Sequence, residues 1–219
     1  MCVKYDSEPS VLIDLRNKLP PIRDQGSRPL CLVFAASDLN TFIHNEKEAF
    51  SVEYLSYYSY KEAGKTDYSQ GLTFQAVSQA LEKYGQPYEK VAPYNVFSTK
   101  PSIPSVAYKN LFFAEGKKQL DLVDDLIKSL DKGCAVIIIT KLTPGFFSPI
   151  KSNVIDDEIG NTGNHALIVV GYGEYADKEV CFLIRNSWGE SWANSGHAWL
   201  TSKFISNRTF MSLRLSKIS

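Results

Sequence analysis

The chain has 219 residues, 44% of them hydrophobic and 22% charged, which suffices for one large domain or two small lobes with a substantial core. Its 24 basic and 24 acidic side chains cancel, so the charge carries no footprint of nucleic acid or of an anionic membrane surface. No apolar run approaches transmembrane length, and the start Met1-Cys2-Val3-Lys4-Tyr5-Asp6-Ser7 lacks the apolar core of a secretory signal. Four separated cysteines, Cys2, Cys31, Cys134 and Cys181, make no Cys-x-x-Cys pair, which argues against a zinc ribbon or a dithiol redox site. No metal or cofactor is expected. So few cysteines without a signal fit a reducing compartment, either cytoplasmic or reached by delivery from a bacterial cytoplasm.

In chain order, the segment through Arg23 carries Pro9, Pro20 and Pro21 and reads as extended. Gly26, Ser27 and Pro29 then force a turn. A helix is predicted from Cys31, with Val33, Phe34, Ala36, Phe42 and Ile43 on one buried stripe. A second, from Ser51 through Lys61, opens with a serine cap. A third runs from Leu72 to Tyr84, with Phe74, Val77 and Leu81 at helical spacing and Gly85 as its stop. Pro87, Pro93, Pro101 and Pro104 make the next segment a long loop or crossover. A fourth helix is predicted from about Lys117 to Lys132, with Leu122, Leu126 and Leu130 recurring and Gly133 ending it. The remainder reads as strands: Ala135 to Thr140, His165 to Tyr172, Val180 to Asn186, His197 to Thr201 and Thr209 to Leu215. Gly171-Tyr172-Gly173 reads as a hairpin connection; no helix comes after it, so a phosphate-binding loop is a poor reading. Cys134 and Cys181 fall in apolar runs, where cysteine behaves as a small buried hydrophobe.

Cys31 differs from the other cysteines. It follows a tight turn and opens a helix, whose N-terminal partial positive charge favours the thiolate. A thiolate that attacks a carbonyl needs a histidine to pair with and to protonate the leaving group. His165, at the start of Asn164-His165-Ala166-Leu167-Ile168-Val169-Val170, stands on an element rigid enough to hold an imidazole. Asn186, ending Cys181-Phe182-Leu183-Ile184-Arg185, offers a carbonyl oxygen to fix the ring. Gln25, six positions before Cys31, offers an amide beside the Cys31 N–H as a second donor to an oxyanion. Taken singly, each also fits a plain structural role, Cys31 as core and His165 as a hydrogen-bonded strand residue, and residue types alone leave both readings open. His44 and His197 read as structural.

Order and local wording add to this. Gln25-Gly26-Ser27 through Cys31 to Phe34-Ala35, then Asn164-His165-Ala166 through Val169-Val170-Gly171-Tyr172-Gly173, then Arg185-Asn186-Ser187-Trp188-Gly189 with Trp192 and Gly196, resemble the three signature blocks of the papain family of cysteine peptidases. Phe50 to Leu55, Gln70-Gly71-Leu72-Thr73 through Gly85, and Tyr88 to Tyr94 extend the resemblance over nearly the whole chain from about Leu19. It implies an α+β papain-like two-lobed fold, a helical lobe and an antiparallel β-barrel-like lobe with the active-site cleft between them. Residues 1–23 would be an N-terminal extended segment packing on the second lobe, 24–110 the helical lobe and 111–219 the β-rich lobe. Cys31, His165, Asn186 and Gln25 would be catalytic. Trp188 would shield the His165 hydrogen bond, and Gly71, with Thr73 and Asn164, would meet an extended polypeptide substrate. The implied activity is that of an endopeptidase acting through an acyl-enzyme thioester. Deamidation, transpeptidation or ligation by the same triad, and a catalytically silent binding fold, stay open.

The wording also departs from the family. Arg28-Pro29-Leu30-Cys31-Leu32 stands where the family usually has Cys-Gly-Ser-Cys-Trp. Arg28 thus replaces a cysteine that would form a disulfide to the glycine turn, and Tyr68 stands near the place of its partner. This suggests a disulfide-poor, bacterial-type branch. About eighteen residues precede the resemblance, too few for a helical inhibitory pro-segment, so regulation by a pro-segment or inhibitor protein is not visible in this chain. Asn207-Arg208-Thr209 matches a glycosylation sequon.

Overall fold

The computed structural model describes residues 7–102, 104, 109–120, 123–147, 153–175 and 177–218. It divides into two compact units, Met1–Asn17 with Gln119–Leu213, and Lys18–Lys118 with Arg214–Ser219. Strand β1 (Ser10–Asp14) belongs to the first unit, and α1 (Cys31–Ile43), α2 (Val52–Glu62) and α3 (Phe74–Tyr84) to the second. After β2 (Ala114–Gln119) the chain supplies α4 (Val123–Asp131), β3 (Val136–Lys141), β4 (Val154–Ile155), β5 (Asn164–Glu174), β6 (Val180–Arg185), β7 (His197–Thr201), α5 (Ser202–Arg208) and β8 (Thr209–Lys217).

The three helices of the second unit start and stop for local reasons. Ser51 caps α2 by accepting from the Tyr54 N–H, and Thr73 caps α3 by accepting from Ala76 N–H. Gly85 ends α3 at φ 61°, where a side chain would strain the backbone. Val33, Phe34, Leu39, Phe50, Leu55, Val77 and Leu81 are buried between these elements. Phe42 and Ile43 are only half-buried, so the stripe expected along α1 stops a turn early.

The sheet runs β2-β8-β3-β5-β6-β7-β4, with β1 added on β5. It is antiparallel at β3·β5, β5·β6 and β6·β7, and parallel at β4·β7. The path ends at β2 and at β4 without closing, so the barrel-like lobe expected from the family is an open sheet. Ile137 and Ile138, Leu167 to Val170 and Phe182 to Ile184 are buried along its central strands, with Leu126, Leu130 and Phe204 also in the core.

The structure corrects four expectations. Lys117 to Gln119 lie in β2 and not at the start of a helix; Leu122 lies outside the described residues. Gly171-Tyr172-Gly173 lie inside β5, and the chain reverses at Tyr175 to Glu179. Both glycines face β1: a Cβ at Gly171 would lie 2.2 Å from the Ile13 carbonyl oxygen, and one at Gly173 2.5 Å from that of Ser10. Cys134 is exposed, because it precedes β3 in the turn after α4; Cys181, inside β6, is buried. Finally, α5 stands where no helix was expected.

Candidate active site

Within the sheet unit, three expected site residues come together. His165 is the second residue of β5, opposite Thr140 of β3, and 5% exposed. Asn186 follows the last residue of β6, where its N–H donates to the Gly196 carbonyl at 3.0 Å. His165 Nε2 lies 2.7 Å from Asn186 Oδ1, which also accepts the Ser187 N–H at 2.8 Å. A backbone N–H only donates, so the atom facing it is the amide oxygen. The same oxygen then requires a proton on His165 Nε2, leaving the lone pair on Nδ1. Burial pushes the His165 pKa down to about 4, opposed by the hydrogen bond to Asn186.

The Trp188 ring lies 4.8 Å from that of His165, between centroids, and packs in turn on Phe147 and Trp192. Trp192 is pinned by its Nε1–H, which donates to the Phe146 carbonyl at 2.8 Å. Trp188 thus joins His165 to an aromatic group that includes Phe147 and Trp192. Asn164, the first residue of β5, pairs with Lys141 and is exposed.

The helical unit holds the others. Cys31 is the first residue of α1 and partly exposed; the first turn contains no acidic residue to oppose a thiolate there. Gln25 is 7% exposed, and its Nε2–H donates to the Arg28 carbonyl at 2.8 Å. Leu30 N–H donates to the same oxygen at 2.8 Å, so Gln25 and the residue before Cys31 share one acceptor across the turn. Gly71 is exposed, its carbonyl accepts from Lys65 Nζ at 3.0 Å, and a Cβ there would make only ordinary contact, 3.8 Å from the Pro29 carbonyl. Neither crowding nor backbone angle demands glycine at 71. Thr73, expected at a substrate wall, serves as the cap of α3.

Sequence reasoning did not find the surroundings of Arg28. Its buried guanidinium donates to Glu53 Oε2 at 2.7 Å and to Ser56 Oγ at 3.1 Å, and lies 4.8 Å from the Tyr94 ring. The only available signal was the double departure from the family at Arg28 and Tyr68. Both residues line a cavity of about 440 Å³, with Ser27, Pro29, Ser69, Thr99 and Lys100.

Cys31, Cys134 and Cys181 are thiols, not disulfides. Among the described residues, no group of three or more His, Cys, Asp or Glu is placed to hold a metal ion, and no helix is long and apolar enough to cross a membrane.

Comparison with known proteins bears on the family and the fold. The sequence profile described as papain family cysteine protease matches residues 10–211. A probable cysteine protease of Arabidopsis thaliana, RD21C, is 27% identical over 199 residues, 88% of this chain and 43% of its own length. The chain thus spans less than half of that relative. Among solved structures, xylellain, a cysteine protease from Xylella fastidiosa, superimposes with a TM-score of 0.74 over 97% of this chain and 92% of its own, at 21% identity. The bromelain protease of Ananas comosus does so with 0.75, over 93% and 97%, at 18% identity. The fold and the matched profile together establish that this chain belongs to the papain family of cysteine proteases.

Proposed function

We propose that the chain is a cysteine endopeptidase in which Cys31 is the nucleophile, His165 the base, Asn186 the residue that orients it and Gln25 a donor to the oxyanion. The observation that carries this reading is the His165–Asn186 pair, whose tautomer the Ser187 N–H dictates. It leaves Nδ1 as the one ring nitrogen with a lone pair, as a base requires. Cys31 at the head of α1, and the order Gln25, Cys31, His165, Asn186 within a papain-family chain, support the rest.

In this reading Nδ1 takes the Cys31 proton, and the sulfur attacks the scissile carbonyl carbon of a polypeptide. The C–N bond breaks as the imidazolium returns that proton to the leaving amine. Water, deprotonated by Nδ1, then attacks the thioester; the C–S bond breaks, the imidazolium returns the proton to the sulfur and the carboxylic acid leaves. An oxyanion arises in both steps, where the Cys31 N–H and the Gln25 amide would donate to it. Trp188 would keep water from competing for the His165–Asn186 bond.

Exposed Cys134 supplies an internal reference for the test. A peptide carrying a thiol-reactive electrophile is expected to label Cys31 about 100-fold faster than Cys134 at pH 7, and to lose that advantage in His165→Ala. Equal labelling of the two cysteines in the wild type would point to a silent fold and overturn the reading. Product analysis with and without an added amine separates hydrolysis from transfer.

A further inference from the structure

The stretch from Gln25 to Cys31 needs support, because two of its groups must point at one reacting oxygen and residues 26–30 belong to no helix or strand. Among its own bonds, the Asp24 carboxylate accepts the Gly26 N–H at 2.8 Å, and the Arg28 carbonyl gathers the Gln25 amide and the Leu30 N–H. Gly26, at φ 57°, turns the chain. The Arg28 side chain, 3% exposed, ties the stretch to the rest of the unit.

That side chain reaches two elements distant in sequence. On α2 it pairs with Glu53, also 3% exposed, and donates to Ser56, whose hydroxyl passes its own hydrogen to the Glu53 carbonyl at 2.9 Å. The second carboxylate oxygen of Glu53 accepts the Ser102 N–H at 2.5 Å. On the loop after α3, Tyr94 lies under the guanidinium, and its hydroxyl donates to the Gln25 carbonyl at 2.7 Å. Tyr94 therefore holds the turn at its Gln25 end and Arg28 holds it from within. A buried ion pair adds little net stability over apolar residues of the same size, but it fixes geometry, because a charge removed from water accepts few alternative partners. A planar donor fork that bonds two partners and stacks on a ring restricts it further.

We propose that Arg28 is a positioning residue, whose buried contacts with Glu53, Ser56 and Tyr94 set the Gln25–Cys31 turn so that the amide of Gln25 and the N–H of Cys31 are aimed at the oxyanion. This rests on the catalytic reading of Gln25 and Cys31 under the proposed function. The clamp sits where the family resemblance places a disulfide cysteine, and it does by charge and stacking what a covalent link would do there. Unlike a disulfide, it is indifferent to the redox poise of its surroundings.

The test separates loss of position from loss of fold. Arg28→Met alone strands a buried carboxylate and is expected to unfold readily, so the informative variant is Arg28→Met with Glu53→Gln, which removes both charges. In that double variant the folded fraction and melting behaviour are expected to stay near wild type, while backbone amides of residues 25–31 exchange with deuterium at least about tenfold faster. kcat for a peptide substrate is expected to fall about 10- to 100-fold, with KM unchanged within about twofold and alkylation of Cys31 by a small uncharged reagent nearly unchanged. Arg28→Lys keeps the charge but not the fork or the stack, and is expected to fall between. Unchanged exchange of residues 25–31 in the folded double variant would overturn the proposal whether or not the wild type cleaves peptides. Unchanged kcat despite faster exchange would overturn its catalytic half. Failure of the wild type to hydrolyse any peptide would instead count against the endopeptidase reading, leaving exchange to decide the clamp.

Discussion

Asn186 is held at some cost to the fold. Its Oδ1 accepts two hydrogens, but its Nδ2 is buried without a partner among the described residues. An unsatisfied buried donor costs about 1–3 kcal/mol, so packing alone does not favour asparagine there. Asn186→Ala is expected to leave folding near wild type while kcat/KM falls about tenfold or more, as His165 loses its fixed tautomer; steady-state kinetics beside a urea titration reads both. His197 gives a second expectation. Its Nδ1 faces the Ser195 carbonyl at 2.9 Å and its Nε2 is buried without a partner among the described residues. Burial, and then the charges of Arg185 and Arg16, push its pKa down to about 4. In the unfolded chain it titrates near the ordinary value of about 6.5. Between these values the unfolded chain holds a proton that the native state refuses, so stability is complete above about pH 6.5 and is lost as pH falls toward 4. The loss from this one group is about 2–3 kcal/mol at pH 4.5. His197→Gln is expected to flatten that part of the curve in urea titrations at pH 7 and 4.5.

At the scale of elements, what was legible depended on how local its cause is. The start of α2 and the end of α3 could be read because Ser51 and Gly85 act on their own backbone neighbours, whereas Thr73, which caps α3, was read as part of a helix from Leu72. His165 and Asn186 could be placed at strand ends because β5 and β6 carry unbroken apolar runs. The helix expected from Lys117 failed because Lys117 to Gln119 are held beside β8, about a hundred residues away, and nothing in their own composition records this. The glycines of β5 misled for a similar reason. Their need is the approach of β1, not a turn, and a close backbone contact leaves no local pattern. The same absence of local pattern hid the Arg28 contacts, which depend on Glu53 and Tyr94 arriving from elsewhere. Gly171→Ala makes the β1 contact testable: with 2.2 Å to the Ile13 carbonyl, a methyl group must displace β1. Overpacking of this kind costs about 1–3 kcal/mol, and limited proteolysis is expected to cut residues 7–15 in the variant while sparing them in the wild type.

Across the whole molecule, the chain passes from one unit to the other at Asn17–Lys18, at Lys118–Gln119 and at Leu213–Arg214. Neither unit is a continuous stretch. Residues 1–118 and 119–219 produced separately are therefore not expected to fold alone, since the first lacks Arg214–Ser219 and the second lacks β1; circular dichroism of each piece and of their mixture checks this. Strand β1 carries this interleaving furthest, since Ser10 finds its register partner in Glu174. The ribosome must release the whole stretch from Ser10 to Glu174 before that pairing can begin. Until then the nascent strand, with Val11 and Leu12 among its side chains, waits with its edge open to any other chain that can match it. Correct assembly thus sets a clock on synthesis, and a stall before β5 emerges would leave β1 as a place to aggregate.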